Sequence, residues 1–266
     1  MDFLNKLLNC EMSEIDQLVD DRITYLSNNC EKEKIIGFIP GTTDLHAAHK
    51  GFIDFNTRIR FGVLSLLDYS MKTRDFYYTF ARLVKHYNFK DVKNVIIFLM
   101  TFINDYFGIC VGRDRREDIQ DVIFNNTVTD EEFFKGIENL EIGVFKGKKM
   151  AMCTERSAVA ENLLSMFGVE SYYCMGTIND EPHCFNVIRI DDSYYVVDYS
   201  QLCSCKKGKR SYYIPLLNKI PEEKINDFLN NNEPITLEAY DYIDGKKEVI
   251  GEKEYVIGKW DKEKSK

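Results

Sequence analysis

The chain has 266 residues, 44% apolar and 29% charged, a globular balance that allows one large domain or two small ones and does not fit a disordered chain. Its net charge of -8 argues against a dedicated nucleic-acid binder and against a peripheral protein of anionic membranes. Eight cysteines, at 10, 30, 110, 153, 174, 184, 203 and 205, follow no framework spacing, which points to free thiols in a reducing, cytoplasmic compartment.

The first residues, MDFLNKLLNCEMSE, lack the basic start and small-residue cleavage site of a secretory leader. Residues 1–28 read as helical: Leu4, Leu7 and Leu8 begin one apolar stripe, and Ile15, Leu18, Val19, Ile23 and Leu26 continue another. Residues 34–39 form a short apolar run stopped by Pro40 and Gly41. In GTTDLHAAHK, Asp44 caps a helix start, and His46 and His49 would share a helix face open to a metal. No third strong ligand accompanies them, and neither a metal nor any other cofactor is expected.

Residues 57–107 predict two or three helices in an antiparallel cluster. Their stripes are Ile59, Val63, Leu64 and Leu67, then Phe76, Phe80, Leu83 and Val84, then Val92, Val95, Phe98 and Leu99. The most apolar stretch, 95–103, is too short to span a bilayer. Arg113, Arg115 and Arg116 alternate with acids and read as a solvated helix face. Thr129 with Glu132 is a capping box. Lys146, Lys148 and Lys149 stand just ahead of Cys153, either favouring a thiolate and an acidic substrate or forming a plain basic turn.

Residues 150–200 carry the chemistry. Val159, Leu163 and Phe167 recur every four residues, and Ala160 and Leu164 widen the stripe, predicting an amphipathic helix packed on one side and ended by Gly168. Thr154 and Ser157 offer caps near its start. Cys153 then sits at or just before the helix N-terminus, where free amides and the helix dipole favour a thiolate and can help hold an oxyanion. A strand follows at 170–176, then a loop, TINDEP, expected to border the site. Residues 183–190 and 194–199 read as a hairpin. With Asp191 and Asp192 as a two-residue turn, Ile190 faces Ser193, Asp198 faces Phe185, and His183 lies one diagonal step from Asp198 on the same face. A three-residue turn would move Asp198 to the face of Asn186. Cysteine, histidine and acid on these elements suggest a thiol nucleophile, its base and an orienter.

Further on, Cys203 and Cys205, with Cys174 and Cys184, match no compact zinc spacing. Residues 211–215 return to the sheet, 221–229 form a short helix, and 235–257 form a hairpin turning at Asp244 and Gly245. The tail after Trp260 is charged and frayed.

The central run resembles the core of the transglutaminase-like superfamily of papain-fold cysteine enzymes. The matching positions are Cys153, Ala158, Leu163, Leu164, Gly168, His183, Phe185, Val197 and Asp198. The resemblance implies Cys153 as nucleophile, His183 as general base and acid, and Asp198 as orienter. Phe185 stands where the family commonly has tryptophan, and Tyr199 where it commonly has proline. The family's additional oxyanion donor has no clear match; Asn104, Tyr106, Asn125 and Asn126 are candidates by position.

The expected architecture is therefore α+β, with a papain-like or transglutaminase-like core at 120–266 (the cysteine helix packed on an antiparallel sheet) and an N-terminal helical extension at 1–119. The expected function is a cysteine enzyme that cleaves an amide or peptide bond through a thioester, hydrolysis favoured. Acyl transfer of the transglutaminase type, to protein or small molecule, and a catalytically inert binding module are the alternatives. A protein or peptide substrate is expected, with no nucleic acid or membrane partner.

Overall fold

The computed structural model describes residues 2–28, 35–37, 71–109, 129, 142–149, 151–201, 204–207, 210–243 and 246–258. The His46/His49 pair, the stripe at 59–67, the arginines at 113–116, Glu132 of the capping box, the boundary at 119/120, the Asp244-Gly245 turn and the tail after Trp260 lie outside the described residues.

Among the described residues, four N-terminal helices follow the predicted stripes: α1 (Asp2–Asn9), α2 (Ile15–Asn28), α3 (Met71–His86) and α4 (Val92–Phe107). Asp91 caps α4 by accepting the Lys93 N–H at 2.9 Å, a contact of about 1 kcal/mol. Leu7, Ile15, Val19 and Ile23 are buried against Phe76, Phe80 and Val84. Much of the chain's aromatic surplus lies here, with Phe76 packed against Phe102, Tyr106 and Phe107 at ring separations of 4.8, 4.5 and 5.7 Å.

Helix α5 (Cys153–Met166) is the centre of the molecule. Its periodicity predicts one packed side, yet from Glu155 to Met166 it is buried all round. The N-terminal helices cover one side. On the other it is tied to the sheet: Ser157 Oγ donates to Cys184 O at 3.1 Å, and Asn186 Nδ2 donates to Ser157 O at 3.1 Å. Arg22 of α2 donates to the last carbonyls of α5, Ser165 O at 3.0 Å and Met166 O at 3.1 Å, where the helix dipole favours a cation.

The sheet comprises β1 (Ile35–Gly37), β2 (Ser171–Ile178), β3 (Glu181–Ile190), β4 (Ser193–Val197), β7 (Leu217–Lys219), β8 (Ile235–Ile243) and β9 (Lys246–Ile257). β5 (Ser204–Lys207) and β6 (Arg210–Tyr213) pair separately, so 210–213 does not rejoin the main sheet as expected. The six antiparallel strands run in the order β7-β4-β3-β2-β9-β8, and β1 adds in parallel to β2 beside β9. The end strands β7 and β8 come back alongside each other, and Asn218 Nδ2 of β7 donates to Tyr255 Oη of β9 at 3.3 Å. The result is a six-stranded, nearly closed barrel. Strand alternation divides its wall. Cys184, Ile188 and Val197 face α5, while Cys174, Phe185, Val187, Val196, Tyr255 and Ile257 fill the interior, joined by Phe228 of the short helix α6 (Ile225–Asn230).

The α+β class stands, but the expected papain-like or transglutaminase-like core does not. That core is an open sheet packed by the cysteine helix, whereas here the sheet curls on itself into a nearly closed barrel. The resemblance of the 150–200 run therefore does not extend to the fold, and descriptions that depend on it, transglutaminase-like among them, do not apply. The physical reason is range. The run contributes β2, β3 and β4, but closure is made by β7, β8 and β9, which lie beyond it. The TINDEP loop is also corrected: Asn179 and Asp180, both at positive φ (50° and 65°), make a two-residue turn directly joining β2 to β3.

Gly176 is where the barrel draws tight. It pairs with His183 on one side and Ile257 on the other, and a Cβ there would stand 1.7 Å from Val256 O. The Gly176→Ala variant should force β9 off β2 and cost about 3 kcal/mol or more, read as a lowered urea midpoint. An unchanged midpoint would show that β9 does not seal against β2 at this point.

Candidate functional site

Cys153 is the first residue of α5, as its sequence position predicts, but the cap is not the expected one. Glu155 reaches back to accept the Met152 N–H at 2.9 Å, and Ser157 is spent on β3. The segment entering the helix is bolted to the end of α4 by Arg156. Its Nε donates to Ala151 O at 2.8 Å, its Nη1 to Asn104 Oδ1 at 2.8 Å, and its Nη2 to Gly108 O. The preceding turn docks on the same end, with Gly147 N–H on Tyr106 O at 2.8 Å and Lys149 N–H on Phe107 O at 2.9 Å. Lys146 is drawn to Asp75 at 2.9 Å, while Lys148 and Lys149 are exposed. The three lysines thus sit on a docked turn, one of them paired with Asp75.

Asn104, one of the oxyanion candidates, is committed elsewhere: its Nδ2 donates to Met100 O at 3.0 Å while its Oδ1 holds Arg156. Tyr106 is buried against Phe76 and Phe107. Asn125 and Asn126 lie outside the described residues.

The hairpin takes the two-residue register. Ile190 faces Ser193 and Asn186 faces Val197, so Asp198 falls on the face of Phe185 and His183. His183 Nε2 lies 2.9 Å from Asp198 Oδ2. Ser200, which the sequence reading passed over, joins them: its hydroxyl is 3.0 Å from His183 Nε2 and 2.5 Å from Asp198 Oδ1, and its N–H donates to that same oxygen at 2.9 Å. The signal available beforehand was an Asp followed two residues on by Ser, the spacing at which a carboxylate accepts a backbone N–H in an Asx turn.

Burial raises the Asp198 carboxyl, but His183 and the two Ser200 donors outweigh it and hold the group below the usual carboxylate range. Burial pushes the His183 ring down, yet Asp198 pulls harder, with the Cys153 thiolate adding to it, and the ring is raised to about 9. Donation from Cys184 lowers the Cys153 thiol most; together with the charge of His183 it overcomes burial and brings the group to about 5. The structure thus joins His183 and Asp198 directly. Among the described residues no hydrogen bond links the thiol to the ring, whose Nε2 is occupied by Asp198 and Ser200, so Cys153 and His183 communicate through charge.

Compared with known protein families, curated proteins and solved structures, the chain finds no match. Among the described residues, no helix is long and apolar enough to cross a membrane.

The Asn104→Leu variant removes an acceptor from a buried guanidinium and should cost about 1–3 kcal/mol in urea denaturation. If stability were untouched, the bolt between α4 and the Cys153 segment would be refuted.

Proposed function

We propose that this chain is a cysteine enzyme acting on an amide or peptide bond through a thioester, with hydrolysis the favoured outcome and transfer to an amine the alternative. The observation that carries the reading is a His183–Asp198 pair, part-buried and 2.9 Å apart, whose imidazolium adds to Cys184 donation in lowering a helix-start thiol to about 5. In this reading the Cys153 thiolate attacks the carbonyl carbon. The oxyanion rests on the amide of Cys153 at the helix N-terminus. Collapse breaks the C–N bond as His183 gives its Nδ1 proton to the leaving nitrogen, and an acyl thioester remains. His183 then takes a proton from water, the water oxygen bonds to the acyl carbon, and the C–S bond breaks to restore the thiolate. Asp198 orients the ring and supports its positive form. The partner is a protein or peptide substrate, with neither nucleic acid nor membrane involved. A reducing, cytoplasmic setting suits the four described free cysteines, Cys10, Cys153, Cys174 and Cys184.

A second reading, a catalytically inert binding module, is favoured by one observation: Asn104 is committed to Arg156 and cannot serve the oxyanion.

The sign of the pH dependence separates the two. A thiol lowered to about 5 is ionised above that pH, and a ring raised to about 9 is protonated below that pH. The reactive pair is thus populated between them, losing its protons in two coupled steps. Iodoacetamide labelling of Cys153 should rise through about pH 5, and in His183→Ala that limb should move toward the ordinary thiol range near ~8.5. A wild-type limb already near ~8.5 would favour the inert module.

Variant turnover on a fluorogenic peptide library should rank Cys153→Ala worst, His183→Ala next and Asp198→Asn mildest. In serine triads the Asp-to-Asn change costs ~10⁴-fold, and here the loss should be nearer about 10–100-fold because the ion pair forms partly without the acid. A folded, fully active Asp198→Asn variant would leave Asp198 with no part in the chemistry.

A further inference from the structure

We propose that Ser200 is a positioning residue that fixes the tautomer of His183, so that Nε2 keeps its proton throughout and Nδ1 is the nitrogen that trades protons with Cys153. The inference rests on the reading of this site as a thiol catalyst. The Ser200 hydroxyl has one hydrogen and lies 2.5 Å from Asp198 Oδ1, an oxygen that can only accept once the carboxyl is ionised. The hydroxyl hydrogen is therefore committed to Asp198. Toward His183 Nε2, 3.0 Å away, Ser200 can offer only a lone pair. Asp198 Oδ2, 2.9 Å from the same nitrogen, also offers only lone pairs. An unprotonated Nε2 would face two acceptors across ordinary hydrogen-bond distances, which is repulsive. A protonated Nε2 donates to both and closes a ring of hydrogen bonds through Nε2, Oγ, Oδ1 and Oδ2.

Asp198 alone would favour the same tautomer but would leave its carboxylate free to swing about its terminal torsion. The Ser200 hydroxyl and N–H, at 2.5 and 2.9 Å, both hold Oδ1, which leaves Oδ2 aimed at the ring. The consequence for the site is directional. With Nε2 occupied, the proton taken from the thiol and the proton given to a leaving group pass through Nδ1 alone, and no return of the proton to the Asp198 side competes with that transfer.

The test reads the ring directly in the full-length chain labelled with ¹⁵N-histidine. At pH ~10, above the ring value of about 9, the neutral imidazole reports its tautomer through two ¹⁵N resonances. In the wild type the His183 pair should be widely split, with the proton correlated to Nε2. In Ser200→Ala the two resonances should move toward each other as the tautomers mix, and Ser200→Thr, which keeps the hydroxyl, should restore the split. A wild-type proton on Nδ1 overturns the inference without any variant. An undiminished split in Ser200→Ala overturns the role of Ser200. Cys153 labelling with iodoacetamide, run in parallel, keeps the two readings apart. A labelling limb in the ordinary thiol range defeats the catalytic reading, whereas a normal low limb with the wrong tautomer defeats only this one.

Discussion

Burying α5 on all sides is possible only because its polar side chains find partners from the layers around it. Glu155 turns back to the Met152 amide, Arg156 reaches Ala151, Asn104 and Gly108, Asn162 donates to Tyr77 Oη at 2.9 Å, and Glu161 accepts from Ser165 and Ser171. An ion left without such partners in the interior costs several kcal/mol. These contacts therefore fix where the helix can lie, how it is rotated and where it starts. The start places Cys153, the proposed nucleophile, as the first residue of the helix.

The barrel supplies the other half of the site by a different constraint. His183 lies on the interior face of β3 near the start of the strand, opposite Gly176, where β9 presses its backbone against β2. No side chain other than hydrogen fits there. The same closure brings β9 to the chain just past Asp198, where Lys253 Nζ donates to Gln201 Oε1 at 2.7 Å. Helix packing thus positions the thiol, and the β3–β4 hairpin, set in the barrel wall, positions the ring and acid. Ser157 and Asn186, bridging α5 to β3, hold the two systems in register.

What the sequence discloses follows the range of each interaction. Strand period and an Asp-Asp pair are local, and they place His183 and Asp198 on one face provided the turn has two residues, which it does. A four-residue apolar repeat is local, and it places Cys153 at a helix start. The repeat does not reveal that the opposite face of α5 is also covered, because Glu155, Arg156, Glu161 and Asn162 read as a solvent face until their partners are known. Arg156 and Asn104 are 52 positions apart, and no spacing rule links them. Barrel closure is lost for the same reason: β7 is three residues long and carries no period of its own, yet it is the strand that returns to β8. Ser200 hides in plain residue order, since a serine two places after an aspartate has meaning only once the aspartate faces a ring.

The charges at the site explain why the arrangement holds together without a direct thiol–imidazole hydrogen bond. Thiolate and imidazolium each favour the other's ionised form, while Asp198 favours the imidazolium and opposes the thiolate. An acid placed symmetrically between them would cancel its own effect. Here it is in contact with the ring and acts on the thiol only from farther away, so its support of His183 exceeds its opposition to Cys153. In the proposed reactive state the row Cys153, His183, Asp198 is negative, positive, negative, and Lys253, a cation felt at the ring, donates to Gln201. Were Lys253 to move onto Asp198, it would neutralise the charge that keeps His183 protonated. The ammonium instead donates to Gln201 Oε1 at 2.7 Å, which leaves the Asp198 carboxylate to the ring and to Ser200.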